Sequence, residues 1–86
     1  MNQALKDQRV QELISLYNNG DIKECLLRAK KVTKIYPEEP FFFNLIGVVS
    51  AAIGSYEEAI ESYKRALKIN PNYFEVFNNL GVALND

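Results

Sequence analysis

Phe43-Asn44-Leu45-Ile46-Gly47-Val48-Val49-Ser50 returns thirty-four positions downstream as Phe77-Asn78-Asn79-Leu80-Gly81-Val82-Ala83-Leu84, with an aromatic, an asparagine, a glycine and a valine held in register. The same period links Gly20 to Gly54, Ile35 to Ile69 and Pro37 to Pro71. It also links the polar residues Glu24 to Glu58, Lys30 to Lys64 and Lys34 to Lys68. A register kept at both apolar and polar positions marks repeated copies of one supersecondary unit, which buries its apolar face only by stacking on its neighbours.

The clearest unit spans 40–73. After Phe43, Ile46, Gly47 and Ser50 come Ala59-x3-Tyr63, then Ala66 and Pro71. This spacing resembles the tetratricopeptide repeat, with Phe43 standing for the family's Trp and Ser50 for its Tyr. The resemblance implies an all-α fold: a right-handed superhelix of antiparallel helix pairs. The upstream copy, 3–36, is degenerate. A strict period puts Arg9 and Glu12 at positions the family keeps apolar, whereas a slip of one residue gives Val10, Leu13, Ile14 and Tyr17, the spacing of one helical face. Cys25 then takes the small position, Ala29 the aromatic one, and Val32 follows. Residues 74–86 restart the pattern as the first helix of an incomplete unit. The expectation is a single domain over 1–86 with about two and a half repeats and five helices, near 3–18, 21–35, 39–53, 56–69 and 73–85.

Local signals point the same way. Asp21-x-x-Glu24, Ser55-x-x-Glu58 and Asn72-x-x-Glu75 each place a carboxylate three residues after a capping residue, which predicts reciprocal capping of three helix starts. Gly20 and Gly54 precede two of these starts, where a turn takes positive φ. Pro37 and Pro71 follow helical faces they cannot extend, and Pro40 suits a first helical turn. Gly47 and Gly81 fall inside helices at a cost of roughly 1 kcal/mol each relative to alanine, which close helix packing must offset. Small Ala59 and Ala66 make room for that approach, with Phe43 and Tyr63 filling the gaps.

The residues that are missing narrow the chemistry. The 86-residue chain has no His and one Cys, which removes the common zinc sets, the Ser-His-Asp and Cys-His nucleophiles and any internal disulfide. Cys25, at a small packing position with no His to activate it, reads as a buried structural thiol. Adjacent carboxylates such as Glu38-Glu39 and Glu57-Glu58 point to different sides of a helix rather than converging. Neither Gly47 nor Gly81 opens a phosphate-binding loop. No catalysis, cofactor or metal is expected.

Ten basic against eleven acidic residues give a net charge of −1, so nothing in the balance favours nucleic acid or an anionic membrane. The second helix is locally basic, with Lys23, Arg28, Lys30, Lys31 and Lys34 against Asp21 and Glu24. Without interleaved aromatics it reads as a solvated face whose charges pair with Glu57, Glu58 or Glu61 of the next equivalent helix. Residues 1–10 hold no apolar signal core, and no stretch approaches the roughly 18 apolar residues of a membrane span. A cytoplasmic location is expected.

The resemblance implies where function lies. In the family, extended peptides or partner helices lie in a concave groove walled by the first helix of each pair. Carried over position by position, that wall comprises Gln11, Ser15, Phe41, Asn44, Leu45, Val48, Glu75, Asn78 and Asn79. None is a cation, unlike the Lys and Arg of repeats that clamp a chaperone's terminal carboxylate. The asparagines can donate and accept along a peptide backbone, while Phe41, Leu45 and Val48 offer an apolar strip. The expected role is a non-catalytic module binding a protein or peptide partner. The alternative is self-association through the uncovered last helix, at Val76, Phe77, Leu80 and Leu84, or an N-terminal fragment of a longer repeat protein with a separate catalytic domain.

Overall fold

Gly20 and Gly54 both adopt a φ of +84°, and each closes a helix in the same way. The amide of Asp21 donates to the Leu16 carbonyl at 2.9 Å and that of Gly20 to Tyr17 at 3.1 Å, while Ser55 and Gly54 repeat the pattern on Ser50 and Ala51 at 2.8 and 3.0 Å. This paired closure requires one left-handed residue, which glycine supplies without steric cost. The chain therefore folds back on itself at equivalent places in the first and second units.

The computed structural model describes residues 3–85; Met1, Asn2 and Asp86, the last position of the expected third unit, lie outside the described residues. Five helices follow one another: α1 Gln3–Asn18, α2 Ile22–Ile35, α3 Pro40–Ala52, α4 Tyr56–Ile69 and α5 Phe74–Asn85. The described residues hold no strand. Connections of three or four residues make each helix pack against its chain neighbours, and α3 also reaches α5. Pro40 starts α3 as its first helical residue.

The charge-free sequence of α3 has a simple cause in its position. Phe42, Leu45, Ile46 and Val49 face one cluster with Leu13, Cys25, Ala29, Val32 and Tyr36. Phe43 faces the other, with Ala59, Tyr63, Ala66, Val76 and Ala83. A helix with apolar partners on both sides has no face left for charge. Gly47 permits the closest approach: a Cβ there would land on the Tyr63 ring, with Cδ1 at 2.5 Å. In the first unit Leu13 is buried and Val10 and Tyr17 pack on the same cluster, joined by Leu16 rather than Ile14, while Glu12 is exposed and Arg9 half-buried.

Polar ties join successive units. Lys6 Nζ meets Glu39 at 2.8 Å and Lys30 Nζ meets Glu58 at 2.8 Å, the second being the pairing between equivalent helices that the charge pattern predicts. The Arg65 guanidinium lies 5.0 Å from the Phe43 ring centre. Lys6 is raised from its usual value, chiefly by its hydrogen bond to Glu39.

The capping boxes do not form. Asp21 and Ser55 make no side-chain cap bond, their ψ of 60° and 70° falling short of the extended backbone that swings a cap over the first turn. Their carboxylate partners are engaged elsewhere: Glu24 accepts from Arg28 at 2.7 Å, and Glu58 accepts from Ser50 at 3.3 Å besides Lys30. Asn72 lies two residues before α5, and its amide donates to Asn70 Oδ1 at 3.1 Å. Glu75 is turned toward α3.

Candidate functional site

The groove residues begin with Asn44, on the turn of α3 that follows Phe41. It is only 6% exposed, so both ends of its amide need partners inside the protein. Its Oδ1 accepts from Asn79 Nδ2 at 3.1 Å and its Nδ2 donates to Glu75 Oε2 at 3.4 Å. Tyr73 is also hydrogen-bonded to Asn44, and burial followed by the Glu75 charge raises its phenol from the usual value. Asn44 thus ties α3 to α5 and the turn before it. It is not the free peptide-gripping amide that the sequence suggests. Leu45 is likewise buried, in the cluster with Leu13 and Val32; it packs the α1–α2–α3 core and adds nothing to an exposed apolar strip.

Phe41 is half-buried and meets the edge of Phe42 at 5.5 Å between ring centres. Val48 and Asn79 come together with Ala51, Tyr56, Val82 and Ala83 around a cleft of about 190 Å³ above the Tyr63 ring. That is below the roughly 300–1,000 Å³ of small-molecule sites and suits one or two peptide side chains. Asn78 is exposed beside it on α5. Gln11 and Ser15 line a different, shallower hollow of about 410 Å³ on α1, with Gln8, Glu12 and Arg28. The described geometry therefore gathers α3 and α5 around one cleft and leaves the α1 residues at another. Larger open hollows flank residues 54–58, which share Tyr56 with the cleft, and the Pro37–Lys68 corner.

Sequence reasoning missed Ala51, Tyr56, Val82 and Ala83 in the cleft. Val82 carried a signal, being the repeat-equivalent of Val48. Tyr56 is the first residue of α4, a second helix, and it lines the cleft from the turn that follows α3.

The uncovered face of α5 is also redrawn. Val76, expected on the self-association face, is 0% exposed, packed in the cluster with Tyr63 and Ala66, and Leu80 packs partly against the same cluster. Phe77 and Leu84 are 50% and 59% exposed, and Phe74 and Val82 join them at 75% and 57%. Gly81, equivalent to Gly47, has nothing within 4 Å of where a Cβ would stand. The position that Tyr63 fills for α3 is open for α5.

Cys25 is fully buried and its thiol donates to the Leu13 carbonyl at 3.4 Å. Burial pushes the thiol up from its usual value, which disfavours the thiolate. Among the described residues no group of three or more His, Cys, Asp or Glu could hold a metal ion, and no helix is long and apolar enough to cross a membrane.

Residues 47–85 match the family model for the TPR repeat. The chain is also similar to a peroxisomal targeting signal receptor of Candida albicans, 30% identical over 84 residues, covering 95% of this chain and 14% of that protein. The chain thus spans about a seventh of that relative's length. A 34-residue register is expressed as stacked helix pairs, and over residues 47–85 it is matched by the family model for the tetratricopeptide repeat, the repeat this stretch of the chain carries.

Proposed function

We propose that this chain is a non-catalytic module that binds an extended peptide segment of a protein partner across α3 and α5. The observation that carries this reading is the cleft lined by Val48, Asn79 and Val82, which sits beside exposed Asn78. Val48, Ala51 and Val82 receive an apolar side chain, and the Asn78 amide donates to and accepts from the peptide backbone. Phe41 and Glu75 flank the wall, while Gln11 and Ser15 stand at the separate α1 hollow. The relative named as a targeting-signal receptor supports a role in recognising a segment of another protein. A cytoplasmic setting is part of the same reading.

The test is selection from a displayed peptide library, followed by affinity measurement with Asn78→Ala and Val82→Asp. Each substitution should weaken the selected peptide by about tenfold or more. Failure to retain any peptide, or wild-type affinity in both variants, refutes the reading.

The open face of α5 supports a second reading, self-association through Phe74, Phe77, Val82 and Leu84. Sedimentation equilibrium should then show a concentration-dependent rise in mass that Phe77→Asp with Leu84→Glu abolishes. A monomer across the accessible range eliminates it.

A further inference from the structure

A second cleft, independent of the peptide groove, lies between α1 and α2. It has a volume of about 250 Å³ and is lined by Arg9, Glu12, Leu13, Arg28, Lys31 and Val32. Three cations face one carboxylate around an apolar floor. Arg28 is held by Glu24 at 2.7 Å, which fixes its guanidinium at the rim. Arg9 and Lys31 are different: among the described residues neither has a carboxylate partner. The Arg9 Nε is buried and has no hydrogen-bond acceptor. That buried N–H is out of reach of solvent, so the contact an anion in the cleft can make with Arg9 falls to its terminal Nη groups, which have no carboxylate partner among the described residues.

Glu12 decides which anion fits. Its carboxylate stands in the same lining and repels a doubly charged phosphate more than a singly charged carboxylate. We infer that the α1–α2 cleft binds the carboxylate side chain of an acidic peptide segment, with Arg9 and Lys31 as its direct partners and Arg28 as a rim contact. Two of these cations come from α2, the second helix of its pair. The site shares no lining residue with the α3–α5 cleft, though Glu12 and Arg28 also border the α1 hollow of Gln11 and Ser15.

The experiment is fluorescence anisotropy of a labelled, end-blocked oligoglutamate peptide at low salt, with inorganic phosphate as competitor. The wild-type chain should bind the peptide saturably, with phosphate a poor competitor. Arg9→Gln with Lys31→Gln should weaken binding by about tenfold or more, whereas Lys23→Gln with Lys34→Gln, which removes the same charge from elsewhere on α2, should change it by less than about twofold. Equal loss in both pairs, no saturable binding, or displacement by phosphate at lower concentration than by free oligoglutamate overturns the inference. The Arg9 Nε–H resonance of the wild-type chain gives a readout that needs no substitution. It should shift as peptide is added, and an unmoved resonance at saturation overturns the inference as well.

Discussion

Gly47 and Gly81 occupy the same repeat position in opposite surroundings, so alanine at each should have opposite consequences. In both helices the substitution gains the same propensity term, roughly 1 kcal/mol. At Gly81 nothing lies within 4 Å of the new Cβ, so Gly81→Ala should stabilise the chain by up to about 1 kcal/mol, less whatever fraying of the last helix removes. At Gly47 the Cβ lands on the ring of Tyr63, a side chain that is itself buried. Moving that ring costs about 1–3 kcal/mol of overpacking, which cancels or exceeds the propensity gain. The propensity term drops out of the difference between the two variants, leaving about 1–3 kcal/mol. For a chain of this size each kcal/mol shifts the thermal midpoint by about 4–8 °C. Thermal unfolding followed by circular dichroism measures it directly. A Gly47→Ala variant as stable as Gly81→Ala would show that Tyr63 yields freely, and would refute the claim that this contact sets the spacing of α3 and α4.

Three further outcomes follow from named contacts. Asn44→Ala should destabilise the chain by about 1–3 kcal/mol in chemical denaturation, because it strips partners from Asn79 and Glu75; wild-type stability would show that water replaces them fully. The Glu58 carboxyl is held below its ordinary value, first by the Lys30 hydrogen bond and least by Ser50. Its contribution is therefore complete above the unfolded-state value and is lost as pH falls through the lower folded one. Glu58→Gln should flatten the acid limb of the stability curve by no more than about 1 kcal/mol, as suits a half-exposed pair, and an unchanged acid limb contradicts the assignment. Cys25 should react with a thiol reagent only as fast as the chain unfolds, since the thiol is fully buried; rapid labelling in native buffer would place it at the surface.

The helices and their order were legible because the repeat spaces Gly20, Pro37, Gly54 and Pro71 as punctuation, and because Gly47 and Tyr63 stand at motif positions that meet between α3 and α4. The Lys30–Glu58 pair was legible for the same reason, since charges of opposite sign fell on equivalent helices. The site was legible only in part. Periodicity places Asn44 and Leu45 on the inner wall, but whether a wall residue is free depends on how far α5 closes over α3. The Asn44–Glu75–Asn79 bonds are made by that closure. Val76 illustrates the same limit from the other side: it lies on the one uncovered helix, yet it points back into the cluster around Tyr63. The capping pattern misled because sequence spacing does not record ψ at Asp21 and Ser55, where the preceding glycine turn sets the backbone.

The proposed role requires that a partner peptide lies across α3 and α5. The most direct test is an amide-resolved NMR titration of the chain with a peptide selected from the displayed library. Shifts concentrated at Val48, Ala51, Asn78, Asn79 and Val82, including the Asn78 side-chain amide, are the predicted result. Shifts confined to the outer faces of α2 and α4, with the α3–α5 cleft unmoved at saturation, would contradict it.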